Sequence, residues 1–474
     1  MRAGTIPPPP IYLAPRPALR AGPGLGYRTE APRMLRSLSP NVRFEPILSA
    51  GDTLTSAQTD EAPFTFPGLA QGIALVPRDA GSAEVYVAHD VAWQQGFGGA
   101  IVSRLLIDLR NGGVLAADYF LDGSEWYSRF SATALADSRN GFLRPTLFLG
   151  EGSTSGPHHG VIAAVDLRNG TVRDLPWLGC FAHRGLAIVP ISSGRIAAVM
   201  TERTVPGLAQ LYLYLADSDA DLLEGHGQLY VFHAEPLPGL GSGLNPSAAD
   251  KERPLRGRFV PIAPGAAEDP AALEAAAEEA RCMSFVRLGG VAVDLARTDA
   301  FYFTDSGDNS LQDFTTGATI TGNGRLYHVS VDPFDPTRVE ELRVVLDGDA
   351  GDDLYRPEDI ATDEESVVME ENPYAVRGLH PSRVLRYDVT ARRLEPIGEC
   401  AERDRQGRLL PEGVGGAWAA HGIVNASDAF GTDSWLLAVQ ARTLEVPQFG
   451  TRGEGGQLLL LRGPRYRSGG QRDQ

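Results

Sequence analysis

The chain has 474 residues, 43% hydrophobic and 22% charged, with 43 Lys and Arg against 60 Asp and Glu and a net charge of −17. That supplies a large core and excludes overall disorder, while the acidic balance argues against nucleic acid or an anionic membrane surface as partner. A small-molecule anion would be repelled too, unless a bound metal inverts the local field.

The opening stretch MRAGTIPPPPIYLAPRPALRAGPG carries arginines but no apolar core of the kind a secretion signal needs, and its prolines predict a disordered extension over residues 1–43. Met34 offers an alternative start, and the sequence leaves the compartment open. No apolar run is long enough for a membrane-spanning helix. The cysteines Cys180, Cys282 and Cys400 are too few for a disulfide framework and lack metal spacing. The 54 glycines and 34 prolines point to many turns and so to many short strands.

From residue 44 to 462 the chain repeats. A glycine- or serine-led apolar strand recurs as GAIVSRLLID, GVIAAVDL, GQLYVFHA, GRLYHVSV, SRVLRYDV and GQLLLLRG. Before each copy lies an apolar strand ending in a polar group: EVYVAHD, TLFLGEG, IAAVMTER, AFYFTDSG, SVVMEEN and WLLAVQAR. Most of these follow a further strand such as GIALVP, GLAIVP, GVAVDL, DIATD or GIVNAS. A recurring three-strand order predicts an all-β, six-bladed β-propeller, the fourth strand of each blade lying in the variable segments. AEDPAALEAAAEEARCMSF reads as a short inserted helix started by Asp269 and Pro270. Residues 463–474 are expected to be a flexible tail, and the chain a monomer.

A propeller gathers equivalent strand ends around one axis, so the acids that end the middle strands should converge: Asp90 beside His89, Glu151, Glu202, Asp305, and Glu370 with Glu371, with Gln440 in the sixth blade. RPEDIATDEESVVMEENP reads as a hairpin in which Glu358 faces Glu371 and Asp359 faces Glu370. Two like charges about 5 Å apart repel by roughly 3 kcal/mol at an effective dielectric near 20. Such a cluster must protonate, splay into water or hold a cation, and oxygen ligands favour calcium or magnesium.

These residues resemble the PhoX-type alkaline phosphatases, a propeller family dependent on calcium and, in its characterised members, iron. The resemblance runs over residues 44–462 through ILSAGDTL, GLAQGIALV, YVAHDV, LFLGEGST, LGCFAHRGLAIVP, VMTER, SFVRLGGVAVD, YRPEDIATD and HGIVNASDAFGTDSWLLAVQAR. It implies metal-dependent hydrolysis of a phosphate ester, with Asp90, Glu151, Glu202, Glu358 and Glu370 as metal ligands. Departures from the family pattern fall at His183-Arg184, where it has His-Glu, at Gly289, where it has Glu, and at Ala419 and His421. The cysteine that ligates iron is missing around FSATALAD, so the resemblance carries calcium over but not an intact iron centre. Arg184 in place of Glu removes a ligand and could instead grip a substrate anion bidentately, with His183 as an acid, a supporting group or a structural donor. The alternatives are a calcium-dependent propeller hydrolase of another substrate, such as a lactone, and a non-catalytic propeller that keeps calcium for structure.

Other candidates are weak. DSDADLLEG lacks the glycine and terminal Glu of an EF-hand loop and reads as a solvent loop. SGPHHG reads as a turn, the glycine-rich segments do not lead a strand into a helix, and no G-x-S-x-G elbow is present.

Overall fold

The computed structural model describes residues 11–12, 26–54, 63–92, 98–203, 207–236, 249–312, 320–373, 380–404, 406–411, 415–448 and 451–467. It is all-β and propeller-like, with few short helices. One unit shows how the sequence makes the pattern. Ala70–Pro77, Ser82–His89, Val102–Asp108 and Val114–Leu121 form an antiparallel sheet in chain order. The turn into the second strand is tied by Asp79, whose carboxylate accepts from the Gly81 backbone and the Ser82 hydroxyl. Val102–Asp108 is buried along its whole length, because neighbouring sheets cover both faces. Such strands read as continuous apolar runs, not as an alternation.

Six strands begin these units and are labelled here: β1 (Ala70–Pro77), β2 (Phe130–Ala136), β3 (His183–Pro190), β4 (Leu288–Val293), β5 (Pro357–Thr362) and β6 (Ala419–Asn425). Each contacts the next, and β6 contacts β1, so the ring closes around a channel. The last sheet takes its outer strand, Arg43–Ser49, from the other end of the chain, zipping the two ends together. Clusters such as Phe148, Leu186, Ile188, Met200 and Tyr212 fill the space between adjacent sheets.

Three features differ from expectation. The units beginning with β3 and β4 are not separate, because Leu255–Pro261 pairs with both Gln228–Ala234 and Arg338–Asp347 and joins them into one ten-stranded sheet. GQLYVFHA is the fourth strand of its unit, and the third is Leu208–Ala216. Both follow a glycine and carry Leu-Tyr, so their patterns are interchangeable. The folded body also starts before residue 44: Leu35–Ser37 pairs with residues 398–400, the Met34 backbone donates to Gln457, and Tyr27 bridges Val114. At the other end Thr451–Arg467 continues past residue 462. Residues 1–10, 13–25 and 468–474 lie outside the described residues.

The inserted helix is present at Pro270–Glu279, with the Asp269 side chain accepting from the Ala272 backbone at 2.8 Å. DSDADLLEG, expected as a loop, contains the short helix Asp219–Glu224 capped by Ser218.

Candidate functional site at one end of the channel

The second strands of the six units end in the same register. His89 lies opposite Ala70, Glu151 opposite Phe130, Glu202 opposite His183, Asp305 opposite Leu288, Glu371 opposite Pro357 and Gln440 opposite Ala419. The repeat position is therefore real, but these groups are spent on the fold. Glu151 accepts from the Ser128, Gly160 and Val161 backbones at 2.7, 2.8 and 3.2 Å. Asp305 accepts from Val286 and Gly307, and Glu371 from Tyr355 and the Arg383 guanidinium. Glu202 accepts from Gln210. In three units the backbone donor lies two residues before the inner strand, so the side chain fastens the loop that enters it. Burial pushes Glu151 and Asp305 up to about 7 and Glu202 up to about 8. Burial holds His89 down at about 4, and its ring bonds the Gly68 carbonyl and Ser103.

The channel lining comes from a different place. Every inner strand slips register near its start: at Gln71, Ser131, Arg184, Gly289–Gly290, Glu358–Asp359 and Gly422. A bulge adds an unpaired residue and re-aims its side chain. It also corrects the hairpin: Ile360 faces Met369 as the symmetric register requires, but the slip puts Glu371 opposite Pro357 and leaves Glu358 and Asp359 inside the bulge. Glycine permits close approach of these strands. A Cβ on Gly289 would lie 2.2 Å from the Thr304 hydroxyl, and one on Gly422, at φ +75°, would lie 1.9 Å from the Gln71 carbonyl.

Arg184 stands at the centre of this ring, donating to Asp359 at 2.7 Å and Glu358 at 2.9 Å while only 5% exposed. His421 Nδ1 lies 3.0 Å from Asp359 and its Nε2 3.2 Å from the Asn372 amide. Burial would raise both acids, but the guanidinium outweighs it and holds Glu358 and Asp359 below the ordinary carboxylate range. Glu370 is the reverse. It is fully buried, neither oxygen has a hydrogen-bond partner among the described residues, and burial with the nearby Asp359 charge pushes it well above its ordinary value.

Over this ring lies a second tier. Asp90, Gly152, Arg203, Ser306 and Asn372 each follow a second-strand end, and each donates its N–H to the carbonyl before or near an inner-strand start: Leu69, Arg129, Ala182, Arg287 and Arg356. Four of those acceptor residues adopt left-handed backbone: Leu69 at φ 57°, Arg129 at 57°, Arg287 at 54° and Arg356 at 50°. Together the tiers enclose a cavity of about 210 Å³ lined by Gln71, Asp90, Arg184, Arg203, Arg287, Leu288, Ser306, Glu358, Asn372, His421 and Arg442.

The cavity is rich in arginine although the chain carries −17. Asp90 lies 3.4 Å from Arg129 and 3.8 Å from Arg203, and Arg203 Nη1 has no hydrogen-bond partner among the described residues. Arg287 reaches only to 3.9 Å from Glu358. Two guanidinium groups thus face the cavity with weak internal partners, an arrangement suited to an oxyanion.

Of the expected site residues, the structure brings Asp90, Arg184 and Glu358 to the cavity and leaves Glu151 and Glu202 in the wall. Glu370 is buried beside Glu358 and Asp359 outside the lining, and His183 packs on Phe181 with its Nε2 3.2 Å from the Gly179 carbonyl. Burial takes His183 down to about 3, so it stays neutral. Arg203 and Asn372 were missed because they stand one position past a strand-end acid, while Arg287, just before β4, and Arg442, two residues past Gln440, adjoin no strand-end acid. The acids expected as calcium ligands do not gather around one point: Asp90 has arginine neighbours and Glu370 is buried outside the lining. Among the described residues no group of three or more His, Cys, Asp and Glu side chains could hold a metal ion. Glu358 and Asp359 already grip a guanidinium, and Glu151 and Glu202 bind backbone.

No family model matches the chain, and no curated protein matches it in sequence. Among solved structures it is similar to Pseudomonas fluorescens PhoX in complex with vanadate, a transition-state analogue, at TM-score 0.61 and 12% identity over 93% of this chain and 98% of that one. It also matches Penicillium chrysogenum α-L-arabinanase complexed with arabinobiose at TM-score 0.43 and 10% identity, covering 92% and 99% of the two chains. The first likeness places the fold among PhoX-like propellers.

Proposed function

We propose that the chain is a six-bladed propeller, its ten-stranded sheet being two blades fused along their outer edges, and that it binds a phosphate ester at one end of the channel. Guanidinium groups hold the phosphoryl oxygens. The observation that carries this reading is the cavity of about 210 Å³ faced by Arg203, Arg287 and Arg442, in which the acids Asp90 and Glu358 already have cationic neighbours. Arg203 and Arg287 supply charged donors to phosphate oxygens. Arg184 holds Glu358 and Asp359 in place, and His421, oriented by Asp359, is the lining's candidate general acid.

A second reading, metal-dependent hydrolysis of the ester with calcium, rests on Glu370, whose carboxyl oxygens are without hydrogen bonds among the described residues and lie beside Asp359. One experiment separates the two. Purified protein is titrated with inorganic phosphate and assayed on a chromogenic phosphate monoester, with calcium and with chelator. Phosphate binding without chelator-sensitive turnover supports the arginine reading. Chelator-sensitive turnover supports the metal reading, and neither binding nor turnover overturns both.

A further inference from the structure

The order of the ring divides the cavity into two halves. Arg203 follows the second strand of the β3 unit and Arg287 immediately precedes β4, so the two guanidinium groups belong to neighbouring units. Across the six-membered ring from β3 and β4 stand β6 and β1. They bring His421 and Gln71 to the lining, and the adjoining β5 unit brings Asn372. A phosphoryl group held by Arg203 and Arg287 therefore turns its alcohol toward His421, Gln71 and Asn372.

That half suits hydroxyl groups. Among the described residues that line the cavity, Leu288 is the one aliphatic side chain, and no Phe, Tyr or Trp ring is present. A carboxamide both donates and accepts, as an alcohol hydroxyl does. The Gln71 amide is 5% exposed and loosely held: its Oε1 accepts from Gln440 at 3.2 Å, while its Nε2 stands 3.4 Å from both Asp359 Oδ2 and His421 Nδ1. The Asn372 amide reaches His421 Nε2 at 3.2 Å. These distances lie at or beyond the long end of ordinary hydrogen bonds, so ligand hydroxyls can offer shorter ones. Arg442, on the same side, donates to the Gln440 oxygen at 2.9 Å, and that chain fixes which way the Gln71 amide points. An apolar alcohol would strip water from these amides and return no hydrogen bond. Size narrows the choice further. The cavity of about 210 Å³ holds about seven water-sized groups at about 30 Å³ each. The phosphoryl group takes about half of that space, which leaves room for a short alcohol and not for a nucleoside or a fatty chain.

We infer that Gln71 and Asn372 form the alcohol subsite, and that the ligand is the phosphate ester of a short polyhydroxy alcohol of about glycerol size. The inference rests on the phosphate reading above and keeps Arg203 and Arg287 on one phosphoryl group.

The test is calorimetric titration of the full chain with glycerol 3-phosphate against propyl phosphate, which has the same carbon chain without the two hydroxyls. Phenyl phosphate and inorganic phosphate are titrated beside them. Glycerol 3-phosphate should bind about tenfold or more tighter than propyl phosphate, and also tighter than phenyl phosphate. Gln71→Met, similar in size but without the amide, should cut the ratio within the pair to about threefold or less. Asn372→Ala, whose backbone N–H stays in place, should lower the same ratio. Equal binding within the pair, tighter binding of phenyl phosphate than of glycerol 3-phosphate, or a ratio untouched by both substitutions overturns the alcohol subsite while phosphate binding stands. A purely structural role for the amides gives that last result, because both esters then weaken together. Failure of inorganic phosphate itself to bind overturns the reading beneath it.

Discussion

Two sets of buried carboxylates lie side by side in this fold and work under opposite electrostatics. At the second-strand ends Glu151, Glu202 and Asp305 bind backbone N–H groups, and burial raises them into or above the neutral range. In the bulges of β5, Glu358 and Asp359 meet Arg184 and are driven down. The first set fastens loops to strands, and the second balances a cation. Burial is common to both, so the partner decides the role: neutral dipoles compensate a buried charge only in part, whereas a guanidinium at 2.7–2.9 Å more than offsets it.

Removing Arg184 should break the second set with the largest effect. Arg184→Ala leaves Glu358 and Asp359 buried beside Glu370 without their guanidinium and should cost about 3–5 kcal/mol of unfolding free energy in urea titrations. A loss near zero would mean that the acids are not held by this pair. Next comes ligand capture. Arg203→Ala and Arg287→Ala should each weaken phosphate binding about tenfold, near 1.4 kcal/mol, with small changes in stability. If both lose stability and keep affinity, the cavity is structural.

The pH dependence of stability sharpens the contrast. Glu151 binds its proton more tightly folded than unfolded, so its contribution weakens as pH rises from the ordinary value near 4.5 to about 7. The slope is at most about 1.4 kcal/mol per pH unit. Glu151→Gln should flatten the stability profile across that window. Glu358 and Asp359 have the opposite sign: their contribution is present above the ordinary carboxylate range and lost on acidification below it. The smallest effect concerns metal. If Arg184 is the resident cation, calcium or chelator should move the melting temperature by less than about 1 °C, and a calcium-dependent rise would point to the acids as ligands instead.

Much of the architecture was legible in the sequence, since repeated apolar strands with polar ends can close only a few ways. The second-strand ends were located to the residue at Glu151, Glu202 and Asp305, and Asp90 and Glu358 reach the cavity. The error was one of facing. In a strand a one-residue step turns a side chain to the other face. The cavity takes Asp90, Arg203, Ser306 and Asn372, each following an end, while the ends themselves go to the wall. Bulges hid the rest. Nothing in PEDIAT marks where the pairing slips, and that slip places Glu358 and Asp359 against Arg184. The fusion of two units was equally hidden, because Leu255–Pro261 differs from the repeat strands only in what it pairs with.

The most direct test of guanidinium-held phosphate is a titration with inorganic phosphate in the presence of excess chelator, for the wild type and for the Arg203→Ala/Arg287→Ala double variant. The account predicts binding that is indifferent to chelator and about a hundredfold weaker in the double variant if the two losses add. Binding that vanishes with chelator, or survives the double substitution unchanged, would contradict it.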